Sequence, residues 1–200
     1  MKSLRLTIIT AAVALLSVGK PILLRTFTAS TTAILLYASK AQAKDASEIA
    51  DIAKAITVRI EGATQGSGVL VKKEGDRYTV LTSWHVLQDN LPGEEVAIIT
   101  SDGKEYLWES KSLKRVGKVD MAVLTFTSKK SYKIATIGNV RSLSSGKTIF
   151  VSGFPLPTSS VPVSIWRFLK GNLIANARVP ILDGYQLLYS NPTLPGMSGG

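Results

Sequence analysis

From Ile56 onward the chain is written in short segments of period two, and that pattern constrains the fold before any single residue is considered. Ile56, Val58 and Ile60 alternate with Thr57, Arg59 and Glu61, the spacing of a strand with one buried face. Further β-rich runs follow at Gly68–Lys72, Tyr78–Thr82, Val96–Thr100, Met121–Thr127, Thr148–Ser152, Val163–Leu169 and Gln186–Tyr189, separated by clusters of Gly, Pro, Asn, Asp and Ser. Many short strands with turn signals at this spacing predict an all-β fold, barrel or sandwich. A junction near Ser128–Lys133 divides them into two β units, residues 44–130 and 131–200. Pro155–Pro162 cannot lie inside a sheet and is expected to be a surface loop. One short helix is predicted ahead of the strands, where Asp45–Lys54 combines a capping residue, early acids and helical apolar spacing.

The first 43 residues are of another kind. They hold Lys2, Arg5, Lys20, Arg25 and Lys40 and no acid. Two apolar stretches, Leu6–Gly19 and Thr28–Ser39, lead to Ala41-Gln42-Ala43. A basic start, an apolar middle and an Ala-x-Ala site make a secretory signal peptide over residues 1–43. Cleavage after Ala43 is preferred to cleavage after Gly19, and an uncleaved helix acting as a membrane anchor is the alternative. The expected location is periplasmic or extracellular. No stretch has eighteen uninterrupted apolar residues, so no stable membrane span is expected once the signal is removed.

The absence of cysteine excludes a disulfide framework and thiolate catalysis. With one histidine besides, no metal or cofactor is implied. The net charge of +10 is partly the leader's, which carries 5 of the 24 basic residues and none of the 14 acidic ones. The remaining lysines and arginines are scattered, with only Lys72-Lys73, Lys114-Arg115 and Lys129-Lys130 as pairs. A nucleic-acid partner would call for clustered bases interleaved with aromatics, so none is expected.

Three segments carry chemistry. His85, the one histidine, closes the apolar run Tyr78–Thr82 within Thr82-Ser83-Trp84-His85-Val86; taken alone, an isolated imidazole is more often structural than catalytic. Asp120 opens the apolar strand Met121-Ala122-Val123-Leu124. Buried there, a carboxylate needs donors or a positive partner to stay ionised; exposed, it is an ordinary turn residue. Ser198 stands among Gly196, Gly199 and Gly200. That setting suits an exposed hydroxyl flanked by amide N–H groups free to meet a developing oxyanion, and it also suits a Gly/Ser linker.

Taken in order, these segments resemble chymotrypsin-like serine peptidases, particularly the short bacterial HtrA/Deg-like and glutamyl-endopeptidase-like members. The resemblance rests on Gly66-Ser67-Gly68-Val69, Thr82-Ser-Trp-His85-Val, Asp120-Met-Ala-Val-Leu, Gly153-Phe154-Pro155 and Gly196-Met-Ser198-Gly-Gly, in the family's order His, Asp, Ser. It implies a double six-stranded β-barrel of chymotrypsin type with the second barrel incomplete. His85 and Asp120 would belong to the first barrel and Ser198 to the second. It also implies a Ser-His-Asp triad acting on polypeptide substrates. Ser198 would be the nucleophile, His85 the general base and acid, and Asp120 the group that fixes the imidazole. The N–H groups of Gly196 and Ser198 would form the oxyanion hole. Thr193, five residues before the serine, stands where glutamyl-specific relatives have a pocket threonine and is the candidate substrate-binding residue. Pro192, where trypsin-like enzymes carry an acid, argues against an Arg/Lys preference. Because the chain ends two residues after Ser198, it is expected to be a fragment of a longer protein and of doubtful activity as it stands. The alternative function is a non-catalytic peptide-binding or scaffold protein on the same fold.

Overall fold

The computed structural model describes residues 44–200 apart from Arg178; the signal peptide expected over residues 1–43 lies outside them. A helix, α1 (Ala46–Ile56), comes first, and Asp45 caps it by accepting from the Glu48 N–H at 2.8 Å. Among the described residues no helix is long and apolar enough to cross a membrane.

Seven strands then form one antiparallel sheet: β1 (Thr57–Glu61), β2 (Gln65–Glu74), β3 (Arg77–Thr82), β4 (Ala97–Ile99), β5 (Glu105–Leu107), β6 (Lys114–Arg115) and β7 (Ala122–Thr127), in the order β5-β4-β1-β2-β3-β7-β6. The sheet curls until the chain just past β5 reaches β7, where the Glu109 N–H donates to Thr125 O at 2.8 Å. The alternation seen in the sequence sorts residues to the two faces. On β3 and β7 the inward pairs are Tyr78 with Phe126, Val80 with Leu124 and Thr82 with Ala122, each in direct register and each buried. The Tyr78 and Phe126 rings stack at 5.3 Å between centroids. Val58, Ile60, Leu70, Val86, Leu87, Val96 and Ile98 share this interior.

A second sheet contains β8 (Thr148–Gly153), β9 (Arg167–Asn176) and β10 (Leu187–Tyr189), ordered β10-β9-β8. The fold is thus mostly β, with a curled first sheet, a smaller second sheet and one helix ahead of both. Two details differ from the six-stranded expectation. The two-residue β6 adds a seventh strand to the first sheet, too short to leave a periodic signal. The run expected at Val163–Leu169 is displaced, because Ser164 is tied into the β8–β9 loop by hydrogen bonds to Pro155 O and from Gln65 Nε2. The strand therefore begins at Arg167. Pro155–Pro162 does lie in that loop.

The connection between the sheets is moored to the first. Tyr132 N–H donates to the Tyr78 hydroxyl at 3.0 Å, and the Tyr106 and Tyr132 hydroxyls are 2.8 Å apart. Asp102 accepts from Thr100, Tyr132 and Lys130. Partial burial opposes ionisation of Asp102, but hydrogen bonds from Lys130, Thr100 and the Lys104 N–H outweigh it and hold the carboxyl well below its ordinary value. A depressed carboxyl stabilises the fold above its unfolded-state pKa, about 3.9 for aspartate, and loses that contribution as pH falls through the folded value. Thermal midpoints are therefore expected to hold between pH 7 and 5 and to drop steeply in more acid solution. Asp102→Asn should flatten that acid drop, as melts over a pH series would read.

Candidate active site

Three connections bring the singled-out residues to one place. After β3 the chain passes through Ser83 in extended conformation into a tight 3-10 turn, Trp84–Val86, closed by Leu87 N–H to Trp84 O at 2.9 Å. Val86 and Leu87 are buried, so the turn is pinned from below and His85 stands exposed above it. Asp120 lies at the mouth of β7, after a turn in which the Arg115 guanidinium bonds the carbonyls of Lys118 and Val119.

His85 Nδ1 and Asp120 Oδ2 are 2.7 Å apart, and the His85 backbone N–H donates to Oδ1 at 2.9 Å. The Tyr185 hydroxyl donates to Oδ2 at 2.6 Å. Partial burial pushes the Asp120 carboxyl up, but the hydrogen bonds from Tyr185 and from the His85 backbone and ring prevail and hold it below its ordinary value. An ionised carboxylate can only accept, so Nδ1 carries the proton of this bond. The lone pair of a neutral ring is then left on Nε2.

Ser198 follows β10 on a loop of two consecutive tight turns, Met197 N–H to Leu194 O and Gly200 N–H to Met197 O, both 3.1 Å. Ser67, fully buried in β2, holds this loop at two points: its N–H donates to Ser198 O at 2.8 Å and its hydroxyl to Gly196 O at 2.9 Å. The same hydroxyl accepts from the Phe154 N–H at 2.8 Å. The glycine-flanked segments of the sequence thus meet on one buried serine. Leu156 N–H donates to Pro195 O at 2.8 Å. In a trans peptide the N–H points opposite to the carbonyl. Anchoring of Pro195 O and Met197 O therefore turns the N–H groups of Gly196 and Ser198 away from those bonds, and among the described residues neither has a hydrogen-bond partner.

A cleft of about 170 Å³ is lined by Ser83, His85, Tyr185, Tyr189, Thr193 and Ser198, among others. The structure brings His85 and Asp120 into direct contact and sets Ser198 and Thr193 on the same cleft. It does not join Ser198 Oγ to the imidazole by a hydrogen bond. Met197, at a position the sequence left without a role, is 3% exposed. Ser67 and Tyr185 had no role assigned from the sequence. Nothing local marks either one: the glycines beside Ser67 make room for Val86 and Val80, not for the Ser198 loop.

The family model for the trypsin-like peptidase domain matches residues 66–200, well over half of the chain. No curated protein matches. Among solved structures, the crystal structure of Deg5 is similar at a TM-score of 0.59 and 18% identity, covering 78% of this chain and 80% of that one. The inactive form of Rv3671c protease is similar at a TM-score of 0.55 and 18% identity, covering 76% of this chain and 73% of that one. At such identity the two structures speak to the fold, and the matched segment, which spans His85, Asp120 and Ser198, speaks to descent: the chain belongs to the trypsin-like peptidase family.

Proposed function

We propose that the protein is an exported serine endopeptidase that cleaves polypeptides with Ser198 as nucleophile, His85 as general base and Asp120 as the orienting carboxylate. The observation that carries this is the His85–Asp120 pair beside Ser198 on one cleft. Nδ1 is committed to Asp120, so Nε2 is the nitrogen available to take the Ser198 proton as Oγ adds to the scissile carbonyl. The oxyanion formed there would be met by the unpartnered N–H groups of Gly196 and Ser198, each such donor contributing about 3 kcal/mol to the transition state. The imidazolium then returns its proton to the leaving amine, giving an acyl-enzyme that water hydrolyses by the same route. Export rests on the basic, acid-free leader ending in Ala41-Gln42-Ala43.

The test is covalent. A fluorophosphonate reacts with a serine only when a base and an oxyanion site activate it. Incubation followed by peptide mapping is expected to find one adduct, on Ser198. A protein that melts cooperatively and carries no adduct would overturn the catalytic assignment and leave the non-catalytic peptide-binding alternative.

A further inference from the structure

We propose that Tyr185 is a positioning residue for Asp120, and that the turn just before it holds the backbone of the same aspartate. This rests on the peptidase assignment above. Tyr185 lies in the β9–β10 connection, 65 residues along the chain from Asp120, so the contact belongs to the tertiary fold. Its hydroxyl and the His85 Nδ1–H converge on one oxygen, Oδ2, while Oδ1 takes the His85 backbone N–H. Three donors on two oxygens define the plane of the carboxylate, and the plane sets where the imidazole points. Without the phenol, each oxygen keeps one donor, both from His85, and nothing outside the His85 turn holds the carboxylate plane.

The backbone repeats this arrangement. Asp183 O accepts from the Asp120 N–H at 2.9 Å. Asp183 has φ +57°, a left-handed conformation that costs a non-glycine residue about 1 kcal/mol. Gly184 follows at φ +84°, and a Cβ there would sit 2.3 Å from Val119 Cγ1. One turn therefore grips Val119 and Asp120 while the adjacent tyrosine grips the carboxylate.

The phenol is a permanent donor and not a titrating switch. Its hydrogen bond to Asp120, its partial burial and the negative charges of Asp120 and Asp183 push it up to about 12. The ionisable groups around it are His85, Asp120, Asp183, Tyr189 and Arg115.

The deciding variant is Tyr185→Phe in the full chain, which keeps the ring as a wall of the cleft and removes only the donor. Losing one hydrogen bond to a charged group should lower kcat about tenfold with KM changed less than about twofold. A structural wall residue would move KM instead. With one histidine in the chain, imidazole 15N spectra report His85 alone. In alkaline solution they should move from the Nδ1–H tautomer in the parent toward a mixture in the variant. Gly184→Ala, which acts through Val119, should shift the same signals. Unchanged kcat together with an unchanged tautomer in Tyr185→Phe would overturn the proposal. Absence of a Ser198 adduct in the parent would overturn the peptidase assignment instead; the imidazole signals still read the Tyr185 contact in that case, so the two failures are distinguishable.

Discussion

Replacing Asp120 with asparagine is expected to lower kcat roughly 10⁴-fold, the scale on which losing the correct imidazole tautomer acts in a Ser-His-Asp site. The reason is a count of donors. Around the side chain of Asp120 stand three groups that each give it a hydrogen bond: the His85 backbone N–H at 2.9 Å, the His85 Nδ1–H at 2.7 Å and the Tyr185 hydroxyl at 2.6 Å. A carboxylate accepts all three. An amide has one accepting atom and one donating atom in the same outline. If the oxygen of the substituted amide keeps the imidazole and the phenol, its NH₂ faces the His85 backbone N–H. If the amide flips, the NH₂ faces Nδ1 and the phenol, whose hydroxyl can turn to accept. The first orientation opposes two donors that cannot rearrange, because the 3-10 turn fixes the backbone N–H. The second can be relieved by moving the ring proton to Nε2, and that removes the base from the serine. The flipped, mis-tautomerised state should therefore dominate. Steady-state kinetics should show the loss in kcat, and the imidazole 15N signals should report protonation at Nε2 in a neutral ring. A loss below tenfold, with Nδ1 still protonated, would mean that Asp120 does not orient His85.

How much of this was legible in the sequence divides along physical lines. Strands with a buried face announced themselves, since Val58 and Ile60, and Ala122, Leu124 and Phe126, must alternate to reach the interior. β5 and β6 did not, because Glu-Tyr-Leu and Lys-Arg open on exposed charges and leave neither an apolar run nor an alternation to read. β9 was displaced in the expectation since Gly171 and Asn172 interrupt its apolar pattern, yet the strand continues through them by pairing with Ile149 and Thr148. For the site, chemistry was easier to read than placement. His85, Asp120 and Ser198 were found as residue types in a characteristic order. What holds them was not: Ser67 reaches Gly196 across 129 residues and Tyr185 reaches Asp120 across 65. Such partners carry no local pattern, because a buried hydroxyl or a half-exposed phenol is common at countless positions where it holds nothing.

Gly199→Ala carries the other large effect, and it follows from the way Ser67 fixes the loop of Ser198, the proposed nucleophile. Gly199 has φ +86°, a conformation that strains any side chain. A Cβ at this position would lie 2.3 Å from Thr82 Oγ1, 2.4 Å from Ser67 O and 2.8 Å from Ser83 N. The two backbone atoms cannot withdraw. Ser67 O is in the β2 backbone and already accepts from Thr82 Oγ1 at 2.7 Å, and Ser83 leads into the turn that carries His85. The glycine loop must move instead, which stretches the 2.8 Å bond from Ser67 N–H to Ser198 O and displaces the hydroxyl from its base. A misplacement of about 1 Å costs on the order of 10² in rate, so kcat/KM and the rate of fluorophosphonate labelling should fall together by at least that factor. The strained backbone should add a loss of about 1–3 kcal/mol in stability, read by urea denaturation. Because Cβ is the only atom added and the side chains of His85, Asp120 and Ser198 are untouched, a fall in labelling rate in a still-folded variant isolates placement from chemistry. An alanine variant that labels at the parent rate would show that the loop can shift without moving Ser198, and that the Ser67 anchorage does not set the position of the nucleophile.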